Sequence, residues 1–308
     1  MQRIWIDTDT ASDDAVAILM ALRWPGIQVE GISTVAGNVP LEMCSRNARY
    51  TVELCGQNTP VYEGAARPLL REPYWAFFFH GPDGMGGMNY PEPQRPPEPI
   101  PAVEAMIKAF RENPGEIILI TLGPLTNLAL ALSMAPDLVG KIPMVYMMAG
   151  AACTVGNITP AAEYNVWVDP EAARMVYLSG LPLVQVGWEL CRGAANLDEQ
   201  DYQYIRSLDT PYGHFSLDCN RQAIQTNRQW LGDPALPLPD PITMAILLDP
   251  PIVKRSSKHF VDIETVSELT RGMTVVDERN VTKKEPNVDV IWEIDVPGWK
   301  EILFKTLR

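Results

Sequence analysis

The stretch "RIWIDTDTASDDAVAILMALRWPG", residues 3–26, joins an apolar run to an amphipathic stretch through four aspartates. Its first part, "RIWIDTD", has the composition of a buried strand. Its second part, "SDDAVAILMALRW", is typical of a helix, with Ser12 or Asp13 as its N-cap and "PG" as its end. A strand that leads directly into a helix is the repeating unit of a parallel sheet.

The same alternation continues through the first two-thirds of the chain. Further strand-like segments are "VEGISTVAG" (29–37), "PVYEG" (60–64), "EIILITLG" (116–123), "PMVYMMAG" (143–150) and "LPLVQVGWEL" (181–190). Helix-like segments lie between them at 41–56, 101–115, 124–136 and 169–180. The pattern predicts an α/β fold with an open, mostly parallel, doubly wound sheet flanked by helices.

Two segments interrupt this alternation, and the C-terminal part departs from it. Residues 71–101 are rich in aromatic residues, glycine and proline, which is typical of a long active-site loop. Residues 197–240 have helical patterns and predict a helical insertion. The segments "FVDIET", "GMTVVDE" and "NVDVIWEID" predict extra C-terminal strands, and "VPGWKEILFKTLR" predicts a closing helix. We therefore expect a single domain over residues 1–308.

Composition excludes several kinds of partner. A formal net charge of −13 leaves no excess of Lys or Arg to neutralise phosphates, so a nucleic-acid partner is not expected. The N-terminus has neither a signal-peptide pattern nor a long apolar stretch, which predicts a cytoplasmic protein without a membrane partner. The five scattered cysteines are expected to be reduced core thiols.

Four aspartates, Asp7, Asp9, Asp13 and Asp14, fall within the eight residues "DTDTASDD". Capping of the following helix needs one carboxylate, and further carboxylates repel one another unless a cation or a proton offsets their charge. Clustered oxygen ligands without thiols or histidines suit a hard cation, Ca²⁺ or Mg²⁺. The cluster therefore predicts a metal site at the end of the first strand.

Six motifs resemble those of the nucleoside hydrolases, the Ca²⁺-dependent inosine–uridine preferring N-ribohydrolases and their relatives. They are "DTDTASDDAVAI" (7–18), "VAGN" (35–38), "HGPDGMGG" (80–87), "TLGPLTNLAL" (121–130), "GNITPAAEYNVWVDPEAA" (156–173) and "DPITMAILLDP" (240–250). Their order and spacing match the family from Asp7 to about Asp249. The resemblance implies Ca²⁺-dependent hydrolysis of the N-glycosidic bond of ribonucleosides by a metal-bound water, through an oxocarbenium-like transition state.

The resemblance also implies roles for individual residues. The Ca²⁺ ligands would be Asp9, Asp14, Asp240 and the main-chain carbonyl of Leu122. Asp9 would also be the catalytic general base, and Asp7 would support the site from behind. The substrate-binding positions are Asp13, Asn38, His80, Asn157, Glu163, Tyr164 and Asn165. Asp13, Asn157, Glu163 and Asn165 match residues that hold the ribose hydroxyls, and His80 matches a position near the base. Family members are homodimers or homotetramers, which is the expectation here.

One position departs from the family pattern. Members with a known acid for the leaving base carry His just before the distal Asp, where this chain has Pro239. Proline cannot donate a proton, so another group must assist departure of the base. Candidate aromatic residues for stacking on the base are Trp75, Phe77–Phe79, Tyr164 and Trp230, each of which could equally be a packing residue.

Two other functions are compatible with parts of the sequence. "DTDTA" resembles the DxDx[T/V] motif of haloacid dehalogenase-type phosphatases, but Ala11 stands at its last position. A ribose- or nucleoside-binding protein without turnover would keep the Ca²⁺ pocket and tolerate Pro239. For Thr126 and Asn127 we expect hydrogen bonds to backbone around a helix start.

Overall fold

A computed structural model of the chain describes residues 1–308, apart from the side chain of Leu231. The strands are β1 (Gln2–Thr8), β2 (Ile27–Thr34), β3 (Val61–Glu63), β4 (Ile117–Thr121), β5 (Val145–Met148), β6 (Leu183–Val186), β7 (Val253–His259), β8 (Val261–Ile263), β9 (Thr274–Val276) and β10 (Val288–Ile294). Eight of them form one sheet in the order β3-β2-β1-β4-β5-β6-β10-β7. All neighbouring pairs in it are parallel except β10 and β7, and β8 and β9 form a separate antiparallel pair.

Helices cover both faces of this sheet, as expected. They are α1 (Ser12–Arg23), α2 (Leu41–Leu54), α3 (Phe77–His80), α4 (Ala102–Glu112), α5 (Thr126–Met134), α6 (Tyr164–Val168), α7 (Pro170–Tyr177), α8 (Glu199–Ser207), α9 (Pro211–Asp218), α10 (Arg221–Leu231), α11 (Pro239–Leu248) and α12 (Val296–Leu307). The predicted open, mostly parallel, doubly wound fold is confirmed.

Alternation along β1 explains why there are two cores. Ile4 and Ile6 pack in the core that includes Ile18 of α1, whereas Trp5 packs on the other face with Phe110 of α4. Successive side chains of a strand point to opposite faces, so a central strand covered by helices is apolar on both sides.

The strand order reverses beside β1, and this fixes where a ligand site can lie. β1 pairs with β2 on one side and with β4 on the other, in parallel register from Arg3 opposite Ile117 to Asp7 opposite Thr121. Connections from the two neighbours run in opposite directions, which opens a crevice at the carboxyl ends of the strands. Asp9 follows β1 into this crevice, and Leu122 follows β4.

Three details differ from the sequence-based expectations. The N-cap of α1 is Ala11 and not Ser12 or Asp13, because Asp14 Oδ2 reaches back to accept a 3.0 Å hydrogen bond from the Ala11 N–H. Strand β7 was not predicted, since "VKRSSKH" is a polar edge strand without an apolar face. Cys153 is exposed and Cys55 half-buried, so these two are not core thiols.

The two interrupting segments have distinct structures. Residues 71–101 contain the short helix α3 and are otherwise irregular, and the Asp83 carboxylate accepts hydrogen bonds from the backbone N–H groups of Met85, Gly87 and Asn89. Residues 197–240 contain α8, α9, α10 and the start of α11. Leu197 and Leu236 exchange both backbone hydrogen bonds and close this segment at its base.

None of the helices in the described part of the chain is both long enough and apolar enough to cross a membrane.

Candidate active site

Two helix N-termini bring carboxylates together at the carboxyl edge of the sheet. Asp13 and Asp14 lie in the first turn of α1, and Asp240 lies in the first turn of α11, which packs against α1. Oxygen atoms of these three side chains lie within 4.8 Å of one another, and all three are buried. The positive end of a helix dipole favours a carboxylate, which explains why the acids are placed at these two ends.

Asp9 lies beside this group in a tight backbone cradle. Its Oδ2 accepts a 2.6 Å hydrogen bond from the Asn38 N–H. A Cβ on Gly37 would lie 2.1 Å from Asp9 Oδ2, and a Cβ on Gly123 would lie 2.6 Å from Asp9 Oδ1. Both glycines are therefore required for the backbone to approach this carboxylate so closely. Asp9 Oδ1 is buried without a hydrogen-bond partner in the described structure.

Burial of the four carboxylates Asp9, Asp13, Asp14 and Asp240 so close together is electrostatically unfavourable without a cation. Burial, followed by repulsion from Asp14, raises the pKa of Asp9 and of Asp240 well above the ordinary value and that of Asp13 to about 8. Burial also raises the pKa of Asp14, although the hydroxyl of Thr8 donates a 2.5 Å hydrogen bond to its Oδ1.

A hard cation fits this cluster. Among the described residues, no Lys or Arg pairs with any of these carboxylates, and the nearest basic atom is His80 Nδ1, 3.9 Å from Asp13 Oδ1. Asp9 Oδ1 and Asp13 Oδ1 are buried acceptors without partners. Buried charges are normally paired or coordinate a metal, and an all-oxygen donor set suits Ca²⁺ or Mg²⁺. The residues present could therefore hold such an ion.

Asp7 lies behind the cluster and belongs to a separate hydrogen-bond network. Its Oδ1 accepts hydrogen bonds from Ser33 Oγ at 2.5 Å and Asn127 Nδ2 at 2.8 Å. Asn127 also donates to the Thr34 carbonyl and accepts from the Ala65 N–H. Asn127 therefore binds backbone as expected, but this backbone belongs to β2 and to the chain after β3 and not to its own helix start, so Asn127 links Asp7 to both segments.

Thr126 likewise does not bind backbone at its helix start. Its Oγ1 donates a 2.7 Å hydrogen bond to Asp169 Oδ2, and Asp169 is the N-cap of α7. The expectation for Thr126 was therefore wrong, because a side chain distant in sequence offers the acceptor.

The Leu122 carbonyl faces the same region from β4. It accepts a 2.9 Å hydrogen bond from Asn165 Nδ2, which also donates to the Met148 carbonyl at 3.1 Å. A carbonyl oxygen can accept two bonds, so the Leu122 oxygen retains capacity for a cation. Asn165 therefore links the ends of β4 and β5 at the edge where the acids lie.

Glu163 and Asn157 serve as caps as well as lining the site. Glu163 is the N-cap of α6, where Oε1 accepts from the Asn165 N–H and Oε2 from the Gly150 and Val166 N–H groups. Burial raises its pKa to about 7. Asn157 Oδ1 accepts a 2.8 Å hydrogen bond from the Tyr164 N–H.

His80 is held beside α1 and is neutral. It ends α3, is 6% exposed, and its Nδ1 lies 2.8 Å from Ser12 Oγ. Burial lowers the pKa of His80 to about 3, so it can exchange hydrogen bonds as a neutral imidazole.

These residues surround a cavity of about 520 Å³ at the crevice. Of the expected site residues, Asp13, Asn38, His80, Leu122, Asn157, Glu163, Tyr164, Asn165 and Asp240 line it. Asp9 and Asp14 do not line it, since both side chains are completely buried next to the acids that do. The volume is that of a small-molecule site.

The aromatic candidates divide into two groups. Phe78, Phe79, Tyr164 and Trp230 line the cavity, whereas Trp75 and Phe77 do not. Phe78 and Trp230 stack on each other with ring centroids 5.5 Å apart. The Tyr164 hydroxyl lies within hydrogen-bond distance of two backbone carbonyls, those of Gly37 and Tyr74.

Several residues that line the cavity were not predicted from the sequence. Trp188, Arg192, Asn196, Asn227 and Asp233 also face the cavity. Trp188 follows β6, so the rule that ligands bind beyond the carboxyl ends of parallel strands could have suggested it. The others lie in or next to residues 197–240, and only the packing of this segment beside the cavity brings them there.

The fold and the site together define the chain as a hydrolase of the nucleoside hydrolase class. Residues 4–301 match the sequence model of the inosine-uridine preferring nucleoside hydrolases, and the chain belongs to this family. It is an enzyme that acts on N-glycosyl bonds of ribonucleosides.

Its relatives and structural neighbours cover nearly the whole chain. An uncharacterized protein of Schizosaccharomyces pombe is 40% identical over 99% of this chain and 98% of its own. The pyrimidine-specific ribonucleoside hydrolase RihA of Citrobacter koseri is 36% identical over 99% of this chain and 97% of its own. The plant nucleoside hydrolase PpNRh1 superposes with a TM-score of 0.94 at 29% identity, covering 99% of this chain and 98% of that one. A purine-preferring ribonucleoside hydrolase from Gardnerella vaginalis superposes with a TM-score of 0.92 at 27% identity, also covering 99% of this chain and 98% of that one.

Proposed function

We propose that the protein hydrolyses ribonucleosides to ribose and free base in a Ca²⁺-dependent reaction. The observation that carries the proposal is the group of four buried carboxylates, Asp9, Asp13, Asp14 and Asp240, without a lysine or arginine partner among the described residues. Family membership supports the reaction, and the all-oxygen donor set supports a hard cation.

Asp9, Asp14, Asp240 and the Leu122 carbonyl would hold the ion. When bound, Ca²⁺ would offset part of the negative charge of the cluster, fix two ribose hydroxyls and lower the pKa of the attacking water. Asp13, which lines the cavity next to the proposed ligand acids, would accept a hydrogen bond from a ribose hydroxyl. These assignments agree with the free acceptor atoms of Asp9 and Asp13.

The protein's own residues would carry the remaining steps. Asp9 Oδ1, which has no hydrogen-bond partner in the described structure, takes a proton from the attacking water as the water oxygen bonds to C1′ of the ribose. The C1′–N bond breaks with its electron pair passing to the base nitrogen, which takes up a proton from solvent, and Asp9 returns its proton to solvent, so that one water is consumed in each turnover. The surrounding carboxylates stabilise the positive charge that builds up on the ribosyl group.

Asn38, Asn157, Glu163 and Asn165 would orient the ribose. A carboxamide both donates and accepts, as a sugar hydroxyl does, so such side chains are suited to a polyol. Their caps and cross-strand hydrogen bonds hold them in place before substrate arrives, which lowers the entropy cost of binding. His80 and Tyr164, which also line the cavity, complete the proposed substrate-binding set.

A nucleoside panel with two variants tests this proposal. Ribose release would be measured from uridine, cytidine, inosine and adenosine for the wild type, Asp9→Asn and Asp240→Asn. We expect turnover of at least one nucleoside by the wild type and a loss of at least about 100-fold in both variants, because each removes a negative charge from the proposed metal site and Asp9→Asn also removes the proposed base. Binding without turnover in the wild type, or an unchanged rate in either variant, would contradict the proposal.

The remaining predictions on organisation belong to the same proposal. The chain would be one domain with 71–101 as its active-site loop and 197–240 as a helical insertion. It would work in the cytoplasm as a homodimer or homotetramer, which sedimentation of the purified protein can test.

A further inference from the structure

We propose that Glu189 is a positioning residue, whose carboxyl group holds the loop of residues 150–157 so that Asn157 reaches the cavity. Glu189 does not line the cavity and would act only through this loop. The inference rests on the proposed function, because it takes Asn157 to bind the ribose of a nucleoside.

The 150–157 loop follows β5 and is irregular in structure. Its last residue, Asn157, lines the cavity. Its first three backbone N–H groups each donate a hydrogen bond to a side-chain oxygen from outside the loop: Gly150 to Glu163 Oε2 at 2.9 Å, Ala151 to Thr274 Oγ1 at 3.2 Å and Ala152 to Glu189 Oε2 at 3.0 Å. Side chains from three other parts of the chain therefore fix where this loop begins.

Glu189 itself is firmly placed. It lies in a turn of 3₁₀ helix, Trp188–Cys191, that follows β6 after Gly187. A Cβ on Gly187 would lie 2.4 Å from both carboxyl oxygens of Glu189, so only a glycine leaves room for the group. The N–H of the neighbouring Trp188 donates a 2.9 Å hydrogen bond to the Gly150 carbonyl. The turn therefore binds the loop at two points.

Loss of the Glu189 acceptor would leave the Ala152 N–H unpaired. Ala152 is 3% exposed, so water cannot readily replace the lost acceptor. An unpaired buried donor is costly, and the loop would avoid this cost by moving its N–H towards solvent. A substrate that needs Asn157 in place would then bind only the fraction of molecules whose loop is in position, which raises KM and leaves kcat nearly unchanged.

The charge of Glu189 is not required for this role. Its second oxygen, Oε1, is buried without a hydrogen-bond partner in the described structure, and burial raises the pKa of Glu189 to about 7. The carboxyl group is therefore largely neutral below pH 7, and it accepts the Ala152 N–H as a carboxamide oxygen would. Glutamine at this position keeps the acceptor, whereas leucine, which has a similar size, removes it.

Steady-state kinetics of three variants test the role. Glu189→Leu should raise KM for the preferred nucleoside about 10-fold, with kcat within twofold of wild type. Glu189→Gln should keep both values within twofold of wild type, because it retains the acceptor. Glu112→Leu, at an exposed position at the end of α4, is the matched control and should change neither value. A residue that only stabilised the fold would change the amount of active protein and leave KM unchanged.

A double-mutant cycle shows whether the effect passes through Asn157. Asn157→Ala alone should raise KM, because it removes the proposed ribose contact. In that background Glu189→Leu should raise KM by less than about twofold, since the loop no longer carries a group that binds the substrate.

The outcomes distinguish this inference from the function on which it rests. A KM within twofold of wild type in Glu189→Leu, an equal rise of KM in Glu189→Gln, or a further rise of about 10-fold in the double variant would overturn the role of Glu189 and leave nucleoside hydrolysis intact. If Glu189→Leu does not fold, Gly187→Ala, whose Cβ would displace the carboxyl group, should raise KM in its place, and an unchanged KM would overturn the role. Absence of turnover of every nucleoside by the wild type would overturn the proposed function and this inference with it.

Discussion

Replacing Gly37 with alanine tests whether the position of the Asp9 carboxylate matters for activity. A Cβ at residue 37 would lie 2.1 Å from Asp9 Oδ2 and 2.8 Å from Asp9 Cβ and Cγ. Non-bonded atoms normally stay about 3.5 Å apart, so the Asp9 side chain would have to move by roughly 1 Å. The Gly37 backbone is not in the left-handed region, so alanine adds contact without backbone strain.

The expected size of the effect follows from that displacement. A shift of about 1 Å in a catalytic group costs on the order of 100-fold in rate. Moving Asp9 Oδ2 also breaks its 2.6 Å hydrogen bond from the Asn38 N–H, and a hydrogen bond to a charged group contributes about 1.5–3 kcal/mol, or roughly 10- to 150-fold. The two estimates agree, and we predict a 10- to 100-fold fall in kcat/KM together with weaker calcium binding.

The assay is ribose release under saturating calcium, with a calcium titration followed by thermal unfolding. Gly140→Ala is the matched control, because a Cβ there meets no atom within 4 Å, and it should behave as the wild type. Gly123→Ala, whose Cβ would lie 2.6 Å from Asp9 Oδ1, should repeat the effect from the other side. A kcat/KM within twofold of wild type in both Gly37→Ala and Gly123→Ala would refute the role assigned to Asp9.

Two further predictions concern other residues of the site, and a third concerns Glu189, a largely buried residue outside the cavity lining. Asn165→Ala should raise KM and lower kcat together, because it removes a ribose contact and frees the Leu122 and Met148 carbonyls; a change in thermal stability alone would remove Asn165 from the substrate site. His80→Gln should lower kcat/KM without altering the shape of its pH profile between pH 5 and 8, since burial keeps the pKa of His80 at about 3 and the ring neutral; loss of a limb of the profile would show a charged histidine. Burial raises the pKa of Glu189 from 4.5 to about 7, so the wild type loses roughly 3 kcal/mol of stability as the pH rises from 4.5 to 7. Glu189→Gln should therefore be more stable than wild type at pH 8 and equal to it near pH 4.5, and equal unfolding temperatures at both pH values would contradict this.

Periodicity was sufficient to predict the sheet because its strands are buried on both faces. Segments such as "EIILITLG" are continuous apolar runs, and helices such as α2 and α4 show one apolar stripe. Strand β7 could not be predicted in this way, since "VKRSSKH" lies at the sheet edge and is mostly exposed. β7 joins the sheet by pairing with β10, a separate segment of the chain.

The site was predictable where one motif carries several of its residues. "DTDTASDD" contains four aspartates within eight residues. A group of carboxylates at this edge of the sheet can therefore be predicted from local sequence once the strand and the helix are recognised. The addition of Asp240 depended on resemblance to the family, because 226 residues separate it from Asp14. Only the packing of α11 against α1 brings the two carboxylates together.

The part of the cavity wall next to residues 197–240 was the least predictable. Asn196 and Asn227 have ordinary helix- and loop-forming neighbours, and nothing in their local sequence distinguishes them from surface residues. They reach the cavity because Leu197 pairs with Leu236 across a segment of forty residues. Aromatic residues of 71–101 were equally ambiguous, and Phe78 lines the cavity while its neighbour Phe77 does not.

The most direct test of calcium dependence is ribose release by protein freed of metal with chelator, with the residual metal measured by elemental analysis. We predict that turnover disappears in the metal-free protein and returns on addition of Ca²⁺. The same addition should raise the unfolding temperature, because the ion offsets part of the repulsion among Asp9, Asp13, Asp14 and Asp240. Turnover at the original rate by protein shown to contain no metal would contradict the account.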